Sequence, residues 1–285
     1  RPGCPMDLPA CWAVVIGRMV QDGWSSGVSA RPRRLGGMRR HWKRILIILV
    51  VALLVAGVAG YVWLTDLPDP MPEAVAATSS DDLETVTEDP WLTFTPAEPS
   101  AAGLVFYPGG RVPPEAYAPA LQAIAEAGYT TVVPDMPFGL AVLSPDVANE
   151  VIEAHPEVER WVIGGHSLGG AMAASYADGH DTVDGLTLWA AYPADTTDLS
   201  DDDLTVASIY ATEDGLTTLE DIEDSRARLP ADTTFTEIVG GNHAGFGWYG
   251  EQDGDGVATI SREQQQAQTV AATLDVLRSV ETETD

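Results

Sequence analysis

Gly164-Gly165-His166-Ser167-Leu168-Gly169-Gly170 follows directly on the apolar stretch Trp161-Val162-Ile163 and leads into a small-residue run with Ala171, Ala173 and Ala174. That order reads as a buried strand, a tight turn with a serine at its apex, and a helix. It fits the pattern G-x-S-x-G, in which the serine is held out at a strand end as a nucleophile. Such a turn forces strained backbone angles, and side chains on its flanks would collide with the neighbouring strand and helix, which accounts for the glycines. The helix then points free amide N–H groups at the place where an oxyanion would form. A serine in a glycine-rich turn alone would be incidental; the strand before and the helix after give it meaning.

Outward from this turn, strand and helix patterns alternate. Glu84–Thr87 and Trp91–Thr95 read as a hairpin across Glu-Asp-Pro, and Leu104–Tyr107, Thr130–Val133, Trp161–Ile163, Leu186–Ala190, Val206–Tyr210 and Phe235–Val239 as further strands. Helices are expected over 117–127 (with Gly128 as C-cap), 144–154 and 217–229. A final helix opens with the capping box Ser261-x-x-Gln264 and should bury Ala267, Val270, Leu274 and Leu277. Continuously apolar strands alternating with helices imply an α/β fold with a mostly parallel central sheet and helices on both faces.

In an open α/β sheet, ligands sit beyond the C-terminal strand ends. Ser167 needs a general base, and the chain has 5 histidines. His41 lies ahead of a long apolar run, His155 and His180 precede strands and fall at the opposite edge, and His166 cannot turn its ring onto its own neighbour. His243, in Gly240-Gly241-Asn242-His243-Ala244-Gly245 after the last strand, remains. The base needs an acid to orient it. Asp214, in Ala-Thr-Glu-Asp-Gly after Val206–Tyr210, is at the correct edge; Glu213 is the adjacent substitute and Asp195 the next.

Charge divides the 285 residues in two. Residues 1–65 carry nine Lys/Arg against two acids; the remainder carries six arginines, no lysine and 41 acids, about −35. A surface of this sign repels nucleic acid and anionic lipid, so no nucleic-acid partner is expected. The excess exceeds what solubility needs and predicts a high-salt, halophilic setting, where a Debye length of ~3 Å at about 1 M salt removes most self-repulsion.

The halves meet at Ile45–Leu64, twenty uncharged residues long enough to cross a hydrocarbon core as a helix. Arg39, Arg40, Lys43 and Arg44 precede it; Asp66 and Asp69 follow. The positive-inside rule puts the N-terminus in the cytoplasm and the C-terminal domain outside the cell membrane, single-pass. A cleaved signal normally has a shorter apolar region, so an uncleaved anchor is expected. Residues 1–37 lack periodicity and read as an upstream extension or tail without a fold. Residues 38–44 form a basic cytoplasmic stub, 65–81 a Pro/Ala/Ser-rich linker, and 82–285 the globular domain. Both cysteines, Cys4 and Cys11, fall in the first segment, leaving the outer domain no disulfide, zinc-thiolate or cysteine-nucleophile option.

Over about residues 82–280, through Gly-Gly-His-Ser-Leu-Gly-Gly, Tyr-Ala-Thr-Glu-Asp-Gly and Gly-Asn-His-Ala-Gly-Phe-Gly, the chain resembles the α/β-hydrolase superfamily. It is most similar to the compact, cap-free branch with dienelactone-hydrolase-like and lipase-like members. The resemblance implies Ser167 as nucleophile, Asp214 as acid and His243 as base. It also implies an oxyanion hole from the N–H of Leu168 and of a residue in Tyr107-Pro108-Gly109-Gly110-Arg111, by register Gly110, with Arg111 as the alternative. Dienelactone hydrolases proper carry a cysteine at the position of Ser167, so their substrate is not carried over.

Forty-seven positions separate Ser167 from Asp214 and 29 separate Asp214 from His243, too few for a large cap. Pocket walls must then come from short loops. Arg111, Phe138, Tyr192, Phe246 and Trp248 are the candidate substrate-binding residues, with a small-molecule acyl or aromatic ester as substrate. Asp253-Gly-Asp255-Gly lacks the carboxylates of a calcium loop, so neither metal nor cofactor is expected. The expected function is a membrane-anchored extracytoplasmic serine hydrolase of the carboxylesterase kind. The rivals are an acyltransferase with the same triad and a binding protein that keeps the fold without catalysis; oligomeric state is not legible.

Overall fold

Among the described residues, eight strands form one sheet in the order β1-β2-β4-β3-β5-β6-β7-β8. They are β1 (Glu84–Glu88), β2 (Trp91–Thr95), β3 (Ala102–Tyr107), β4 (Thr130–Pro134), β5 (Arg160–His166), β6 (Gly185–Trp189), β7 (Thr205–Ala211) and β8 (Thr234–Ile238). The β1–β2 and β2–β4 pairs are antiparallel, and every pair from β4 to β8 is parallel. The computed structural model describes residues 36–78, 84–88 and 91–282. Cys4, Cys11 and most of the expected N-terminal extension lie outside these residues.

Contacts divide the chain into two units, residues 1–59 and 60–285. Within the described part of the first runs α1 (Gly36–Thr65), which continues into the second. Its stretch Arg44–Val62 is long and apolar enough to cross a membrane, and none of it is buried.

The second unit carries α2 (Pro72–Ala77), α3 (Ala118–Glu126), α4 (Val147–Ala154), α5 (Leu168–Gly179), α6 (Leu219–Ser225) and α7 (Arg262–Thr282). Along β3, Leu104 and Phe106 face one core cluster with Leu121 and Ile124 of α3 and Leu277 and Val280 of α7. Val105 and Tyr107 face the other, with Val151 of α4 and Ala173 and Ala174 of α5. Alternation with period two on a sheet covered on both sides makes every residue of the strand apolar, and all of β3 is buried.

Three segments differ from the sequence reading. The stretch 65–81, expected as a linker, contains α2, whose Ala74 is buried and whose end packs on the core through Ala77. The helix expected from 144 begins at Val147, because Pro145 pushes Ser144 out of helical geometry (φ −146°, ψ 59°). The buried stripe of α7 runs through Gln266, Thr269, Thr273, Leu277 and Val280, while Ala267 is exposed. The helix is turned that way because its polar residues have partners below them. The capping box forms: Ser261 N donates to Gln264 Oε1 at 3.1 Å and Gln264 N to Ser261 Oγ at 3.2 Å.

Candidate active site

Ser167 sits between β5 and α5 at φ 52°, ψ −122°, a conformation an L-residue occupies at a cost of ~1–3 kcal/mol. The surrounding glycines make it possible. A Cβ on Gly165 would meet the Gly169 carbonyl carbon at 2.5 Å, and one on Gly169 would meet the Tyr107 oxygen at 2.2 Å. The helix start is thus pressed against the loop that leaves β3.

Asp214 follows β7. Its Oδ1 accepts from the main-chain N–H of Leu216 at 2.8 Å and Thr217 at 2.7 Å, which turns the carboxylate inward. Oδ2 meets His243 Nδ1 at 2.8 Å, and both side chains are essentially inaccessible to solvent (1% and 0%). A carboxylate can only accept, so Nδ1 carries a proton and Nε2 presents its lone pair when the ring is neutral. Nε2 is buried and has no hydrogen-bond partner among the described residues. Ser167 Oγ and Nε2 are not hydrogen-bonded to each other, although His166, next to the serine, lies 4.6 Å from the His243 ring, centroid to centroid. The alternative acids are elsewhere: Asp195 is 98% exposed and 3.5 Å from Arg228, and Glu213 is exposed beside Thr212.

The loop after β3 is fixed by a second set of contacts. Gly109 N–H donates to Tyr117 Oη at 2.9 Å, and the same oxygen is hydrogen-bonded to His166 Nδ1, also 2.9 Å away. Burial first, and the neighbouring His243 second, hold its pKa well below the ordinary imidazole value, and burial raises that of Tyr117. The Arg111 N–H is taken by the Gly139 oxygen at 2.6 Å. The main-chain N–H groups of Gly110 and Leu168 have no hydrogen-bond acceptor among the described residues. The two residues adjoin, since a Cβ on Gly110 would lie 3.3 Å from Leu168 Cδ2.

Of the expected wall residues, Phe138 is 41% exposed and Tyr192 half-buried. Phe246 is fully buried and stacks on His166 (5.8 Å, 25°), and Trp248 is buried as well; both brace the loop from beneath rather than line an open pocket.

Sequence reasoning missed the residues that hold the histidine loop. Asp255 accepts four main-chain N–H groups, from Gly215 (3.2 Å), His243 (3.1 Å), Ala244 (2.8 Å) and Gly256 (2.8 Å), and so ties the acid loop to the histidine loop. From α7, Gln265 brackets the Asn242 peptide through its Oε1 (3.0 Å) and Nε2 (2.7 Å), and Gln266 Nε2 donates to the Gly245 oxygen at 2.8 Å. Arg262 donates to the oxygens of Ala244, Gly247 and Gly250. Polar residues on a stripe that continues into Leu277 and Val280 were the available signal, because buried amides require partners.

A family model described as the alpha/beta hydrolase family matches residues 103–267. The chain belongs to that family. Among solved structures it is similar to TT1662 from Thermus thermophilus, at 14% identity and TM-score 0.50, over 68% of this chain and 98% of that one. It is likewise similar to the esterase domain of a Rhodothermus marinus protein, at 14% identity and TM-score 0.50, over 67% and 97%. At this identity the likeness is one of fold. No curated protein matches the chain.

Proposed function

We propose that this member of the family is a membrane-anchored, extracytoplasmic serine hydrolase that cleaves carboxylic esters through an acyl-enzyme. The observation that carries the reading is the buried Asp214–His243 pair at 2.8 Å, whose unpartnered Nε2 lies at the same sheet edge as Ser167 in its strained turn.

In the first step Ser167 Oγ attacks the ester carbonyl carbon and its proton passes to His243 Nε2. The carbonyl oxygen becomes an oxyanion, held by the N–H groups of Leu168 and Gly110; the Arg111 N–H is already engaged by Gly139, which favours Gly110. Asp214 keeps the ring oriented and offsets the imidazolium charge. The bond to the leaving oxygen breaks as His243 returns the proton to it, leaving acyl-Ser167 and an alcohol. Water then attacks the acyl carbon, gives its proton to His243, and the proton goes back to Ser167 Oγ as the acid departs. With an alcohol or amine in place of water the same steps give acyl transfer.

The basic residues in the first turns of α1, ahead of its apolar stretch, and the acidic domain after it support an outward-facing domain. Hydrolysis of p-nitrophenyl esters of increasing chain length by the wild type, Ser167→Ala and His243→Ala tests the reading. Each substitution is expected to cost about 10³-fold or more in kcat. Wild-type rates retained by Ser167→Ala would refute it.

A further inference from the structure

The residues that follow the apolar stretch of α1 are fastened directly onto the loops around Ser167. The Asp66 N–H donates to the Val62 oxygen at 2.9 Å, so the helix geometry carries through and Asp66 stands ~6 Å along the axis beyond Val62. From there three contacts tie the chain down. The Asp66 oxygen accepts from Arg111 Nη2 at 2.9 Å, on the loop that carries Gly110. Leu67 packs over Gly139, where an added Cβ would meet Leu67 Cδ2 at 2.9 Å. The Met71 N–H donates to the Trp248 oxygen at 2.8 Å, on the histidine loop. Residues 66–71 are therefore a strap across all three loops, and no slack lies between the end of the apolar stretch and the site.

Beside the strap, at the same sheet edge, the turns after β4 expose Phe138 (41%), Val142 (52%) and Leu143 (53%). An apolar group of this kind on a domain with a charge of about −35 calls for a partner that is apolar and not anionic. The apolar stretch ending at Val62, read as the membrane anchor, supplies one, because only three residues separate it from Asp66.

We propose that the Phe138–Val142–Leu143 turns rest on the surface of a neutral bilayer, and that the site takes its acyl ester from amphiphiles in that surface. The proposal rests on the hydrolase and anchor readings above. The short strap keeps the loops around Ser167 close to that surface, the exposed side chains enter the headgroup boundary, and a long-chain ester reaches Ser167 without first crossing water.

The full chain, with Cys4→Ser and Cys11→Ser, reconstituted in phosphatidylcholine vesicles, provides the test. A fluorophore is placed on Val142→Cys or, as control at the opposite sheet edge, on Asp203→Cys. Headgroup-level spin-labelled lipid is expected to quench the first at least ~3-fold more than the second. Equal quenching overturns the proposal whether or not the chain has activity. In a second arm, about 20 Gly/Ser residues inserted between Thr65 and Asp66 raise the loops around Ser167 from the surface by up to ~25 Å. Turnover of bilayer-dissolved p-nitrophenyl palmitate should fall about 10-fold or more while that of water-soluble p-nitrophenyl acetate is unchanged. Both rates unchanged would overturn it. A wild type that cleaves neither ester refutes the hydrolase reading instead, and quenching then decides this one.

Discussion

Asp255→Ala removes a carboxylate that, beside Asp214, joins the acid loop to the histidine loop. Four N–H groups lose their acceptor, of which those of His243, Ala244 and Gly256 are partly buried, the last belonging to the residue next to Asp255. A hydrogen bond to a charged acceptor contributes ~1.5–3 kcal/mol, so the two partly buried donors on the histidine loop set a loss of ~3–6 kcal/mol. A cavity of about 340 Å³, lined by Asn242, Ala244, Asp255 and Arg262 among others, lets water reach part of the vacated space and brings the expected loss to about 2–4 kcal/mol. For a unit of this size that is a fall in Tm of roughly 5–15 °C. Displacement of His243 by ~1 Å would cost about 10²-fold in kcat. Asp255→Asn keeps an acceptor for three of the donors and loses only that for Ala244, so it should fall between Ala and the wild type. Calorimetry in non-ionic detergent, with ester hydrolysis at saturating substrate, reads both quantities. A Tm within about 1 °C of the wild type and an unchanged kcat for Asp255→Ala would refute the positioning role.

Asp214→Asn should lower kcat by about 10³-fold or more, while Asp195→Asn, at an exposed surface carboxylate, should leave it unchanged; the reverse would move the acid to Asp195. His166 is buried and neutral, with a pKa depressed below that of the unfolded chain, so its contribution is complete above about pH 6.5. As pH falls below that value the unfolded chain takes up the proton first, and stability should decline by up to about 1.4 kcal/mol per pH unit. His166→Gln should flatten that decline, and an unaltered slope would contradict the burial argument. The charge of about −35 predicts a Tm that climbs as NaCl rises from about 0.1 to 3 M; a Tm high at low salt and nearly constant would dismiss the halophilic reading.

The fold was legible because its signals are local. Apolar runs such as Leu104–Tyr107 can lie only in a sheet covered on both faces, and the glycines at 164, 165, 169 and 170 can surround only a turn of this closeness. The Asp214–His243 contact followed from topology, which put both residues past C-terminal strand ends. The supporting shell was legible only in part. Asp255 acts through main-chain groups of Gly215 and His243, and no residue type there announces that a neighbour will need an acceptor, whereas Gln265 and Gln266 left a signal as polar residues on a stripe that runs into Leu277 and Val280. Phe246 and Trp248 looked like pocket walls because aromatic residues near a catalytic histidine serve either purpose; burial separated the two. Pro, Ala and Glu in 72–77 suited a linker by composition, and tertiary packing through Ala74 made them a helix.

The central claim is that Ser167 is a nucleophile activated by His243. Reaction of the full chain with a fluorophosphonate probe, followed by mass spectrometry of the modified peptide, tests it most directly. The account predicts one adduct, on Ser167, formed by the wild type and absent from Ser167→Ala, with labelling of His243→Ala slowed by about 10²-fold or more. An adduct on another residue, or equal labelling of the wild type and Ser167→Ala, would contradict it.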